Sequence, residues 1–374
     1  MYAESNEKSI KDGIRILACL LHGKMADGAW LESVDLKELY SFARKHSIEA
    51  VIDEALERAG VRDEAFVKAK AQNIQRSMLF DSERRKILKE FDQHGIWYVV
   101  LKGAVLQNYY PSYGLRQMTD NDVLFDRSKA EEVRAIMEGM GYETVEFGNN
   151  AHDVYHKKPV MSFEMHVCLF PEHVSKPFYE YYQGIETKLR KADGETCELR
   201  FSKEDFYLYL TAHEYKHFSD CGTGLKYLLD VYLYLTKEKL DLDYVRAEAE
   251  KMGVAEFEEK NRMLAMHLFD EEALTEKEQE FLQSFLLSGT FGNMPNKVRN
   301  KNKRYGGGKI KYVIKRLAIP VSRKNPYYVP FSNRYPVFYK HKILLPLLPF
   351  YRIYTSIREK RFMGEFDAMK EIGS

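Results

Sequence analysis

Two aspartates one residue apart, Asp120 and Asp122, stand at the head of the apolar run Val123-Leu124-Phe125. Side chains on a strand alternate between faces, so both carboxylates are predicted to project to the same side. An earlier apolar run, Ile96 to Leu101, ends in Lys102-Gly103, and Arg116 lies four residues before Asp120. Paired carboxylates on one strand face make a hard-cation site. A Lys-Gly turn offers backbone N–H groups and a point charge to phosphate. The fork of Arg116 is suited to clamping phosphate as well. Together these are the equipment of phosphoryl or nucleotidyl transfer. The plainer reading is a polar strand end, because Thr119-Asp120-Asn121 is also turn chemistry.

Glu164 supplies a third carboxylate. In the run Val160 to Cys168 it shares a strand face with His166, while Phe163, Met165 and Val167 occupy the other. A glutamate on a buried strand is costly unless it is paired or bound to a metal. If this strand neighbours the aspartate strand, Glu164 becomes a ligand or the base that takes a proton from an acceptor.

The chain of 374 residues is long enough for two or three domains. Four scattered cysteines without CxxC spacing fit reduced thiols, which predicts a cytoplasmic protein. No signal segment opens the sequence, and its longest apolar window, Ile343 to Phe350, contains two prolines and is far too short to span a bilayer. The net charge of +1 conceals an asymmetry: Lys297 to Arg361 carries 18 Lys or Arg against the single acid Glu359. A basic flank beside an acidic body points to a polyanionic partner: a triphosphate, a nucleic acid or an anionic surface. Neutralisation of the protein's own acidic face is the alternative.

Periodicity predicts helices throughout residues 5–92, with one long charged helix ending at His94-Gly95. Strands are expected at 96–101, 122–126, 142–147, 153–157 and 160–168, with helices at 103–109 and 128–140 between them. Helices return at 203–218, 224–237, 241–252, 255–268 and 276–286. From Pro295 the density of Asn, Lys and Arg, with Gly306-Gly307-Gly308, predicts a flexible linker, then a tail of aromatics, prolines and basics with a last helix at 351–371. The expected organisation is an N-terminal helical region (1–92), an α/β core (93–200), a helical bundle (201–290) and a basic linker and tail (291–374). The fold class is α+β.

His213-Glu214-Tyr215-Lys216-His217 matches the literal H-E-x-x-H pattern of zinc hydrolases. Histidines at i and i+4 share a helix face, but no third ligand is evident and a lysine inside a zinc helix is a poor electrostatic choice. The alternative roles are contact of His213, Lys216 and His217 with phosphate or acceptor, or plain packing of this helix on the sheet. The tail tyrosines interleave with Lys and Arg, which suits stacking on bases, interfacial membrane contact, or packing along the body.

The order Leu101-Lys102-Gly103, Tyr110-Pro111, Leu115-Arg116, Thr119 to Phe125, Glu164-Met165-His166 and His213-x-x-Lys216-His217 resembles the uncharacterised nucleotidyltransferase family of the polymerase-β-like superfamily. The resemblance covers about residues 30–240, and more weakly Tyr335-Pro336 and Leu345-Pro346 to Arg352. It implies a small mixed sheet carrying the site, flanked by N-terminal helices and a C-terminal bundle. It also implies transfer of a nucleoside monophosphate from an NTP such as ATP to a hydroxyl, releasing pyrophosphate. Asp120, Asp122 and Glu164 would hold Mg²⁺ or Mn²⁺, and Lys102, Gly103, Arg116, His213, Lys216 and His217 would contact the nucleotide. Lys102-Gly103 stands where the superfamily has Gly-Ser. The acceptor is open: a small molecule, glycan, nucleic acid or protein. The alternatives are a nucleotide-binding module with little turnover, a kinase-like phosphoryl transferase and a zinc hydrolase.

Overall fold

The computed structural model describes residues 2–148, 151–358 and 361–370. It is an α+β protein with one five-stranded mixed sheet: β1 (Tyr98–Val100), β2 (Asn121–Phe125), β3 (Glu143–Glu146), β4 (His152–Lys157) and β5 (Met161–His166). The spatial order is β1-β2-β5-β4-β3. Only β2 and β5 run parallel; the other neighbours are antiparallel. All five strands fall where the alternating apolar runs predict them, shortened by one or two residues at most ends, while β2 and β4 start one residue earlier.

The two sheet faces separate the chemistry. Val123 and Phe125 of β2 and Phe163 and Met165 of β5 enter a core with Phe80, Ile87, Phe91, Val133 and Met137. Those partners come from the long helix Glu64–Gln93 and the helix Ala130–Gly139, which therefore cover this face. Asp122, Glu164 and His166 alternate to the opposite face. There Leu124 joins the larger core, built from the N-terminal helices and the helices after residue 200. Burial of apolar side chains on both faces explains why β2 is closed to solvent along its whole length.

Local chemistry sets the helix ends. Asp35, Asp63, Ser202 and Asp241 cap their helices through side-chain oxygens, and Thr275 with Glu278 forms a capping box. The long helix ends at His94, with Gly95 at φ 62°. A short ribbon, β6 (Arg190–Lys191) with β7 (Leu199–Arg200), has no counterpart in the sequence expectations.

The stretch expected as a flexible linker is ordered. Met294–Arg304 is a helix, capped by Asn293 with a proline in its first turn. It docks on the helix Lys203–Asp220: Asn300 donates to the carbonyls of Phe218 and Asp220, and Arg304 pairs with Asp220 at 2.8 Å. Its Asn/Lys/Arg composition hid one apolar anchor, Val298, which is buried with Tyr312 and Ala368. Within the tail helix expected at 351–371, Leu348–Arg358 and Arg361–Lys370 are helical; residues 359–360 and 371 lie outside the described residues.

Candidate active site

Parallel pairing of β2 with β5 sets Asp122 directly opposite Glu164. The antiparallel β4–β5 pairing sets His152 opposite His166. Two carboxylates and two imidazoles thus meet on one face. His166 Nε2 lies 2.9 Å from Asp122 Oδ1 and 3.7 Å from Glu164 Oε2, and His152 Nε2 lies 3.7 Å from the same Glu164 oxygen. Asp120 lies just ahead of β2 rather than within it, and its charge still couples to Asp122.

Lys102 closes the cluster from the turn after β1. Its backbone has φ 41°, an uncommon left-handed value for a residue with a Cβ, and its Nζ sits 2.6 Å from Asp122 Oδ1. The turn makes room for close packing at Gly103: a Cβ there would lie 2.6 Å from Arg116 Nη1 and 3.0 Å from Met118 Sδ. Gly103→Ala is expected to cost about 1–3 kcal/mol, read as a lower urea midpoint, because Arg116 is not free to retreat.

Arg116 is held by Asp230. Its Nε and Nη2 each donate at 2.8 Å to the two oxygens of Asp230, and Tyr110 OH donates to Oδ1 at 2.8 Å. All three groups are buried. The fork expected to clamp phosphate is thus occupied inside the protein, with Nη1 beside Gly103.

All nine site residues singled out from the sequence line one cavity of about 550 Å³, together with His152, His166, Lys226 and Asp230. Among the described residues, the group of metal-type side chains whose ligand atoms all lie within 4.8 Å of one another is His152, Glu164 and His166.

Electrostatics follow from this crowding. Burial, then the neighbouring Asp122, pushes the Glu164 carboxyl up to about 7. Burial and Asp122 also raise Asp120. For Asp122, burial works toward a higher pKa, but the Lys102 ammonium and His166 outweigh it and hold the carboxylate well below its usual range. Burial alone would lower Lys102; Asp122 and Glu164 outweigh it and raise the ammonium. Burial lowers His166 to about 4 and, with Lys216, His217 to about 3. Both rings are therefore neutral at neutral pH. Burial and the Lys102 charge bring Lys216 down to about 8.

The helix Lys203–Asp220 lies across this face and presents His213, Lys216 and His217 to the cavity. The Nε2 atoms of His213 and His217 are 3.2 Å apart, so one ring donates to the other. Glu214, the acid of the H-E-x-x-H pattern, has a different setting. Its Oε1 is buried without a partner, and burial pushes its carboxyl up to about 8. Between its ordinary 4.5 and about 8 the folded chain holds a proton that the unfolded chain has lost. Stability is therefore expected to fall as pH rises through that window. Glu214→Gln should flatten this slope, as seen in urea midpoints measured at roughly pH 6 and pH 9.

Sequence reasoning missed His152 and Lys226, and met Asp230 only as a generic carboxylate, not as the partner of Arg116. His152 had no signal of its own, since only the β4–β5 register brings it to Glu164. Lys226 donates to the Gln117 carbonyl at 3.3 Å, and Asp230 sits one helical turn further along; both come from Leu225–Lys237, which reads as an ordinary apolar helix. His166 was legible as Glu164's neighbour on the strand face but not as a partner of Asp122.

A mixed sheet thus gathers carboxylates beside a lysine turn, and a helix bearing His213, Lys216 and His217 covers them. A profile of the uncharacterised nucleotidyltransferase family matches residues 32–270. The chain belongs to this nucleotidyltransferase family. No curated protein and no solved structure gives a significant match. Among the described residues, His213 and His217 belong to no group of three metal-type side chains with ligand atoms within 4.8 Å of one another.

Proposed function

We propose that this protein transfers a nucleoside monophosphate from an NTP to a hydroxyl acceptor, with a divalent cation held at the β2–β5 carboxylates. The observation that carries the reading is the in-register pairing of Asp122 with Glu164 on neighbouring parallel strands. Glu164, distant in sequence, thereby lies beside Asp122.

The donor set fits a cation. Burial, and then the charge of Asp122, push the Glu164 carboxyl up to about 7, and Lys102, bonded to Asp122, neutralises only part of the acidic charge gathered there. Asp120, Asp122 and Glu164 are the hard oxygen ligands, and His166 and His152 offer neutral nitrogens at the same place. The bound cation would supply charge neutralisation for the triphosphate.

The other roles belong to the protein's own groups. Lys102 and Lys216 reach the cavity with charges suited to phosphate oxygens, and a bound triphosphate would favour the protonated form of Lys216. His213 and His217 are neutral, so their contribution is a single N–H donor. Arg116 acts indirectly: its ion pair with Asp230 supports the turn at Gly103. Glu164, opposite Asp122 on the neighbouring strand, would help hold the cation and accept the acceptor's proton. The acceptor oxygen then bonds to the α-phosphorus, the bond from that phosphorus to the β-phosphate bridging oxygen breaks, and pyrophosphate leaves. Catalysis rests on positioning and charge stabilisation. The cavity volume of about 550 Å³ lies within the range of roughly 300–1,000 Å³ usual for small-molecule sites.

The test is incubation with α-labelled and γ-labelled ATP across a panel of hydroxyl acceptors. Label from the α position should appear on the acceptor and γ label in pyrophosphate; γ label on the acceptor would show a kinase, and neither would show a binding module. Glu164→Gln should lower kcat at least about 100-fold while NTP affinity changes less than about tenfold. Equal losses in both would make Glu164 a binding ligand only.

A further inference from the structure

The C-terminal region has a surface unlike the rest of the molecule. Lys297 to Arg358 carries sixteen Lys or Arg and no Asp or Glu. The same region exposes large apolar side chains in quantity. In the helix Lys309–Leu317, Ile310, Val313 and Ile314 stand at helical spacing and are 77%, 40% and 63% exposed. In Leu348–Arg358 the exposed set is Phe350, Tyr354 and Ile357, again at i, i+4 and i+7. Ile343, just before it, is 88% exposed.

These two helices are neighbours. Arg352 donates to the backbone carbonyls of Arg316, Leu317 and Ala318, which ties Leu348–Arg358 to the end of Lys309–Leu317. Their inward faces are already satisfied: Tyr312 is buried, and it and Arg316 bond Glu365. The exposed apolar stripes are therefore not the side by which the helices hold to the body. Water-facing Ile, Val and Phe at helical spacing, interleaved with lysines such as Lys315 and Lys342, are what an interfacial helix carries. Among the described residues no helix is long and apolar enough to cross a membrane, so the association would lie along the surface.

We propose that residues 305–358 seat this protein on an anionic lipid bilayer, the apolar stripes entering the headgroup boundary and the lysines and arginines meeting lipid charge. Charge complementarity selects this occupant: an uninterrupted cationic segment matches an anionic leaflet, and the exposed aliphatic residues match its acyl boundary. Nucleic acid would use the cations but leave Ile310, Ile314 and Ile343 in water. The seat adjoins the catalytic cavity. Tyr327 packs against His173 with ring centroids 5.7 Å apart, and His173 lines that cavity.

Co-sedimentation of the full-length chain with vesicles tests this. Phosphatidylcholine vesicles containing phosphatidylglycerol should bind it at least about tenfold more tightly than phosphatidylcholine alone, and added salt should weaken binding. Ile314→Asp combined with Phe350→Asp should reduce binding more than about tenfold with an unchanged melting curve, since both side chains are exposed. Equal partition to neutral and anionic vesicles, or full binding by the double variant, overturns the proposal. So does retention on single-stranded RNA with none on vesicles. The result is independent of nucleotidyl transfer: Asp122→Asn should bind vesicles like the wild type.

Discussion

Asp122→Asn is expected to lower the affinity for Mg²⁺ and Mn²⁺ by more than about 100-fold while leaving the fold in place. Titration calorimetry of the metal with and without NTP is the measurement. The asparagine keeps an oxygen for Lys102 Nζ and His166 Nε2, which now lie 2.6 and 2.9 Å from Asp122 Oδ1. It removes the charge that both of them and a cation share. Asp122→Ala is a different experiment. The Lys102 side chain is 16% exposed and that of His166 7%, so alanine would strand a buried ammonium without its partner. A stability loss of about 3–5 kcal/mol is expected, enough to confuse lost binding with lost fold. Retention of near wild-type metal affinity by Asp122→Asn would remove the aspartate from the metal shell.

Arg116→Met should cost about 3–5 kcal/mol in urea unfolding, because buried Asp230 would lose its ion-pair partner and keep the Tyr110 hydroxyl as a donor. Combining it with Asp230→Met should recover part of that loss, since replacing both members of a buried pair is far milder than removing one. A phosphate clamp would behave in the opposite way, losing NTP affinity with little change in stability. The two readings of Arg116 are thereby separated on two independent axes. A wild-type urea midpoint for Arg116→Met would show that the ion pair contributes nothing measurable.

Particular residues show why some features were legible and others were not. Asp122, Glu164 and the alternation around them could be read because a strand has a period of two and its apolar partners announce the buried face. The helix Met294–Arg304 could not, because Val298 is its one buried apolar residue and most of its other contacts are polar ones that any Asn/Lys/Arg stretch could make. His152 escaped notice because a histidine on a half-exposed strand looks the same whether or not a carboxylate faces it. The ion pair of Arg116 escaped notice for a related reason: a guanidinium fits phosphate and carboxylate equally, and Asp230 lies more than a hundred residues away.

From the residues alone follow the α+β class, the strands and most helices, and the acidic and cationic groups of the site. Those depend on near-neighbour periodicity and on what each side chain can bind. The partners were decided by the tertiary structure: Glu164 beside Asp122, His152 beside Glu164, Lys102 on Asp122 and Arg116 on Asp230. Strand register and helix docking arise from packing of distant apolar surfaces, and no local pattern encodes which polar groups that packing brings within bonding distance.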